Sequence, residues 1–175
     1  MLTHFSVKEK NMAKKENKTN AMRILDKNKI CYQVNNYQCD EFIDGMQIAD
    51  KNGQAYEQSF KTLVTVGKSG GYYVFVIPVD KEIDFKKAAK IVGEKSVEMI
   101  HVKDINAVTG YIRGGCTPLG MKKLYPTVIE ESAKHFDEII ISGGKLGVQI
   151  ILNPLDLANV VNGQFANVVV TVTED

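Results

Sequence analysis

The sequence predicts a mixed α+β fold (α/β class): a curved, mixed, barrel-like β-sheet surrounded by short helices. Three observations carry this expectation. Two pairs of apolar runs flank glycine-rich turns at residues 67–71 and 142–145, as the strands of hairpins do. Short segments with apolar residues at helical spacing have capping residues before them and Gly or Asn after them. Strands and helices do not alternate as a regular βαβ series, so a mixed or antiparallel sheet is expected.

In chain order, Thr19 or Asn20 caps a helix over Ala21, Met22, Ile24 and Leu25, and Asn28 ends it. Residues 30–37 alternate as a strand. Residues 42–52 read as a turn and a short helix that stops at Gly53. Residues 63–66 and 72–76 form the first hairpin, and Pro78 ends it. Asp84 caps a helix over Phe85, Ala88, Ala89, Ile91 and Val92, closed by Gly93. Residues 97–100 read as a short strand and 104–108 as a helical turn, followed by a glycine-rich loop over 110–120. Val128 and Ile129 mark a strand, and 131–137 a short helix. Residues 138–141 and 148–152 form the second hairpin. Pro154 sits in the first turn of a helix over Leu155, Leu157, Ala158 and Val161. Residues 165–172 read as a final strand.

The length suits one domain, assigned to residues 19–175. Residues 1–18 are polar, lysine-rich and aperiodic, and read as a flexible basic tail in which Met1 and Met12 are both possible starts. No apolar run approaches the ~20 residues needed to cross a bilayer, and the start lacks the apolar stretch of a secretory signal. A cytoplasmic protein is the expectation. Cys31, Cys39 and Cys116 form no CxxC, and His4, His101 and His135 lie far apart, so no metal site is expected. The motif GxxxxGK[ST] is absent and no cofactor is expected. Beyond the tail the charge is −2, so the body should not coat nucleic acid by counterion release alone. A nucleic-acid partner must be held at a small site or with a helper protein.

Three segments are suited to chemistry. Lys61 opens a strand, either as a solvated surface group or as a fixed cation aimed at a phosphate or carbonyl oxygen. The loop over 109–120 has paired glycines that let backbone approach a ligand, or it is simply a long structural loop. The turn Ser142-Gly143-Gly144-Lys145 needs no function as a hairpin, yet its amides and hydroxyl could line a pocket. Cys116, His101 and His135 lack a visible partner for nucleophilic or base catalysis.

Taken in order over residues 21–169, these segments resemble the YbaK family, which is similar to the editing domain inserted in many prolyl-tRNA synthetases. The residues that carry the resemblance are Leu25 to Ile30 with Tyr37, Phe60-Lys61-Thr62-Leu63, and Asp84 to Lys90. The loop Thr109-Gly110-Tyr111 through Gly114-Gly115-Cys116-Thr117-Pro118-Leu119-Gly120 follows, and Ser142-Gly143-Gly144-Lys145 comes last.

The resemblance implies the barrel-like fold and deacylation of mischarged tRNA, with Cys-tRNA(Pro) the usual substrate and prolyl-tRNA synthetase a partner. It implies Lys61 as the chief functional residue, with Tyr37 and Thr62 at the same pocket. It frames that pocket with Thr109, Gly110, Gly114, Gly115, Thr117 and Pro118 from one loop and Ser142, Gly143 and Gly144 from the other. Gln149 stands where some relatives carry an aspartate. The implied chemistry is attack of the substrate's own thiol on its ester, with Lys61 orienting the terminal nucleotide or ester and amides near Gly115 and Gly144 stabilising the oxyanion. An editor for another amino acid such as alanine, or a non-catalytic binding relative, are the other readings.

Overall fold

A computed structural model describes residues 17–172 of the 175-residue chain. Of the expected basic tail, residues 1–16 lie outside the described residues. Lys18 is described and pairs with Asp26.

Among the described residues five α-helices form, four of them where a side-chain cap and apolar spacing meet. α1 (Asn20–Lys27) starts at Thr19, whose hydroxyl accepts from the Met22 N–H, and buries Ala21, Met22 and Leu25. α2 (Gly45–Asn52) carries a capping box between Asp44 and Gln47 and ends on Gly53 at φ 64°. α3 (Phe85–Val92) is capped by Asp84 and closed by Gly93. α4 (Ile105–Thr109) is a single short turn ending at Gly110. α5 (Pro154–Val161) has Asn153 as its cap and Pro154 in its first turn.

The strands form two sheets. β1 (Tyr32–Asn36), β7 (Val148–Leu152) and β6 (Ile139–Ser142) make a small antiparallel sheet in the order β1-β7-β6. The larger sheet is ordered β4-β2-β3-β5-β8, from β2 (Phe60–Gly67), β3 (Tyr72–Pro78), β4 (Val97–Met99), β5 (Thr127–Glu130) and β8 (Gln164–Ala166). Its β3–β5 and β5–β8 pairings are parallel and the others antiparallel, so the expected mixed sheet is present. The barrel is not: no ladder joins β6 to β2, only a parallel bridge between Ile140 and Ser59, the residue before β2, and the strands do not close into a ring. The final strand is also shorter than the apolar run suggested. Only residues 164–166 pair along β5, and Val169 then makes a lone bridge to Ile83. That run is apolar because Val168 packs into the core rather than because it continues a ladder.

Alternation along β3 divides the core. Val74 and Val76 face a cluster with Phe60, Ile139, Ile141, Ile150, Leu25 and Leu157, between the larger sheet and the small one. Phe75 and Ile77 face Ala88, Ala89, Val97 and Val128, under α3.

Hydrogen bonding along β2 positions the site. The Val79 N–H donates to the Ser59 carbonyl and the Gly67 N–H to the Gly71 carbonyl, so the odd-numbered residues of β2 spend their main-chain groups on β3. The even-numbered residues point the other way, and the Val64 carbonyl accepts from Ile100 N–H on that side. β4 covers this outer edge only at Thr65–Gly67. Between that contact and the Ser59–Ile140 bridge no ladder joins β2 to β6, and the alternation turns the main-chain groups of Thr62 away from β3, towards that gap.

Candidate active site

The gap is a cavity of about 580 Å³, a size suited to a small ligand. Its inner wall is Phe60 and Val64 of β2, Ile140 and Ile141 of β6, and Gln149 of β7, all buried. Exposed Phe42, Met46, Met99 and Val102 form its rim with Arg113.

Lys61 lines this cavity. Its Nζ donates to the Val79 carbonyl at 3.3 Å, which steadies the ammonium group without neutralising it. Burial pushes the Lys61 pKa below that of an ordinary lysine, and the carboxylates of Glu82, Asp80 and Asp44 only partly offset this. The result is a half-buried cation whose remaining protons are available to an acceptor in the cavity.

Of the residues implied by the resemblance, Tyr37, Lys61, Thr62, Gly114, Ser142 and Gln149 line the cavity together. Tyr37 is half-buried, its phenol pKa raised mainly by burial, and its N–H donates to Gly147 at 2.9 Å. The Thr62 hydroxyl is enclosed without a hydrogen-bond partner. Ser142 accepts from the Gly144 N–H at 3.3 Å through its hydroxyl oxygen and keeps its own proton to donate. Gln149 is bound through its amide by Asn35 and Gln54.

Thr109, Gly110, Gly115, Thr117, Pro118, Gly143 and Gly144 are not on the cavity wall. Several brace the loops that are. The Thr109 hydroxyl donates to Ile105 and accepts from Tyr111 N–H. Thr117 and Pro118 are buried in their loop. Gly115 lets the two loops touch, since a Cβ there would lie 3.0 Å from the Lys145 Cα. The Thr19 hydroxyl donates to the Gly143 carbonyl at 2.6 Å, tying α1 to the second loop.

Two amides in the region expected to supply oxyanion donors are engaged. The Gly115 N–H already donates to Ile112 at 2.9 Å, and the Gly144 N–H to Ser142, so both are engaged inside their own loops. Lys61, Tyr37, Thr62, Ser142 and Arg113 line the gap with side-chain donors, and the alternation along β2 turns the Thr62 N–H the same way.

Sequence reasoning missed Phe42, Arg113 and the pocket position of Cys116. Phe42 sits in an irregular stretch before a helix cap, where no periodicity marks it. The Arg113 guanidinium lies over the Phe42 ring, 4.0 Å from its centroid. Cys116 lines the cavity with its thiol pKa raised, chiefly by burial and against a smaller opposing effect of Thr109. Neither His101 nor His135 lines the cavity, and among the described residues no cluster of three metal-ligating side chains occurs.

Comparison with known proteins identifies the family and the fold. Residues 46–160 match the family model of the aminoacyl-tRNA editing domain. The chain is 47% identical over 160 residues to EbsC of Enterococcus faecalis, described as a candidate Cys-tRNA(Pro)/Cys-tRNA(Cys) deacylase, covering 90% of this chain and 98% of that protein. Two crystal structures share the fold. One, described as a candidate trans-editing enzyme for prolyl-tRNA synthetase, aligns with TM-score 0.71 at 23% identity over 80% of this chain and 87% of that one. The other, the hypothetical protein APE2540, aligns with TM-score 0.80 at 19% identity over 87% of this chain and all of that one. A family model spanning most of the body and a relative matched over nearly its whole length place this chain in the aminoacyl-tRNA editing domain family.

Proposed function

We propose that this chain is a free-standing deacylase that removes cysteine from mischarged proline tRNA, working in the cytoplasm beside prolyl-tRNA synthetase. The observation that supports the reading is Lys61: a half-buried ammonium group at a cavity with hydroxyl and main-chain donors but no evident nucleophile–base pair. Cys116 is held protonated by burial and both histidines lie elsewhere. Such a site is suited to positioning a substrate that carries its own nucleophile.

An aminoacyl ester is activated, and its cleavage depends on orientation and oxyanion stabilisation. The cysteinyl sulfur attacks the ester carbonyl, forming a C–S bond. The bond to the ribose oxygen breaks, and the thiol proton ends on that oxygen. The products are free tRNA and a four-membered thiolactone that water opens later. Intramolecular attack gains up to ~7–11 kcal/mol from orientation in favourable systems. In this reading Lys61 and the Thr62 N–H hold the ester, and Tyr37 and Ser142 bound the amino acid.

Proline and cysteine are close in size, so a synthetic pocket that admits one cannot strongly exclude the other. A thiol-dependent site separates them by chemistry. It reads the amino acid rather than the tRNA, and the net −2 body offers no broad surface for a whole tRNA. Selection of proline tRNA then falls to the synthetase. The test is hydrolysis of Cys-tRNA(Pro), Cys-tRNA(Cys), Ala-tRNA(Pro) and Pro-tRNA(Pro), with and without synthetase. Loss of cysteine alone, from both tRNAs until synthetase is added, is expected. Hydrolysis of Ala-tRNA(Pro) at a comparable rate refutes the thiol mechanism, and inertness towards all four makes the chain a binding protein.

A further inference from the structure

The rim of the cavity carries a feature that ester hydrolysis does not use. The Arg113 side chain is exposed, forms no salt bridge among the described residues, and places its guanidinium carbon over Phe42, 4.0 Å from the ring centroid. Phe42 is 42% exposed and is fixed from beneath. A Cβ on Gly114 would meet its ring at 3.0 Å, so the ring rests on the first glycine loop. A planar cation is thereby held at the rim of the cavity that Lys61 also lines.

The two glycine loops carry basic residues alone: residues 105–129 and 139–155 contain Arg113, Lys122, Lys123 and Lys145 and no acidic residue. Lys145 is exposed and its backbone approaches Gly115, two residues from Arg113. Asp40, Glu41 and Asp44 stand on the segment that carries Phe42.

We propose that Arg113, propped on Phe42, seats the nucleotide that precedes the esterified one in a single-stranded 3′ end. The guanidinium plane stacks on its base and the N–H groups hold the adjoining phosphate, the combination of stacking and cation that single strands favour. The inference rests on the reading that the substrate is an aminoacyl-tRNA. The cavity takes the esterified nucleoside and its amino acid, and the rim takes the next nucleotide.

Two measurements separate this proposal from that reading. The first compares cysteinyl esters of adenosine and of the trinucleotide CCA as substrates of the wild type, Arg113→Gln, Phe42→Leu and Phe42→Tyr. KM on the trinucleotide ester should rise with Arg113→Gln and Phe42→Leu by about 5- to 150-fold more than on the nucleoside ester, and Phe42→Tyr should restore it. Equal losses on both esters, or no loss on either, overturn the proposal. The second titrates labelled, uncharged CCA and needs no catalysis. Arg113→Gln should weaken binding and lower the slope of log affinity against log salt by about 0.7. An unchanged slope and affinity overturn the proposal. A wild type that binds CCA through Arg113 yet hydrolyses neither ester refutes the deacylase reading and leaves the seat standing.

Discussion

The side-chain amides of Gln149 and Gln54 face each other with both hydrogen bonds made. Gln54 Nε2 donates to Gln149 Oε1 at 2.8 Å, and Gln149 Nε2 donates to Gln54 Oε1 at 3.0 Å. Asn35 Nδ2 adds a 2.9 Å bond to the same Gln149 oxygen and reaches Asn52 Oδ1 at 3.3 Å. Gln149 is only 6% exposed, so this amide cluster joins β1, β7 and the end of α2 behind the cavity. An aspartate here lacks the N–H that serves Gln54 Oε1 and sets a carboxylate against that oxygen instead.

Gln149→Asp should therefore lower stability by about 1–3 kcal/mol, the cost of leaving a buried partner unsatisfied. Gln149→Ala and Gln54→Ala should each destabilise, and the double variant should cost less than their sum. Urea unfolding of the four proteins checks this. Additive losses refute a coupled amide pair.

Removal of the Lys61 ammonium group should be the most damaging single change to catalysis. Lys61→Ala should reduce kcat by about 10²–10³-fold, the scale for one electrostatic donor. Single-turnover deacylation with saturating enzyme reads it directly.

The displaced pKa of Lys61 has a signed consequence. Burial makes the folded chain release this proton at lower pH than the unfolded chain. In the window just below the ordinary lysine pKa the unfolded state binds more protons, so the Lys61 contribution to stability rises with pH there. Activity moves the other way, because the ammonium charge is lost. The enzyme-to-uncatalysed rate ratio should fall in that window, and Lys61→Arg, which stays charged, should shift the fall to higher pH. An identical alkaline limb in both proteins rules out Lys61 as its source.

Cys116 should behave as wall rather than nucleophile. Its raised pKa keeps the thiol protonated at neutral pH, so Cys116→Ala should retain activity within about tenfold, and the wild-type thiol should alkylate slowly until the pH exceeds the usual cysteine range. A rate collapse in Cys116→Ala refutes this.

Gly147 holds Tyr37 in place. Its φ is 80°, and a Cβ there would lie 2.6 Å from the Tyr37 carbonyl oxygen. Gly147→Ala should cost about 1–3 kcal/mol through backbone strain and should also raise KM, because Tyr37 must move. Denaturation and kinetics on the same variant check both effects.

Local elements were legible because their signals are local. Thr19, Asp84 and Asn153 are caps that bond within the next turn, and Gly53 and Gly93 adopt positive φ where the helices stop. Lys61 could be singled out by motif, but the cavity it lines is shared by β2 and β6, strands distant in sequence. The state of two loop amides was not legible, because a glycine-rich loop advertises free N–H groups while Ile112 and Ser142 occupy those of Gly115 and Gly144. Phe42 and Arg113 come from loops with no periodicity, and only the three-dimensional approach of those loops stacks them.

The pairing of β1 with β7 sets Tyr32 opposite Leu152. On a ribosome, the segment bearing Tyr37 and Lys61 emerges long before its counterpart in the small sheet, and such distant pairings form late. A nascent chain thus displays its cation without walls around it. A product cut short before β7 lacks Gln149 and the partner of β1, so its cavity wall is incomplete and no activity is expected of it.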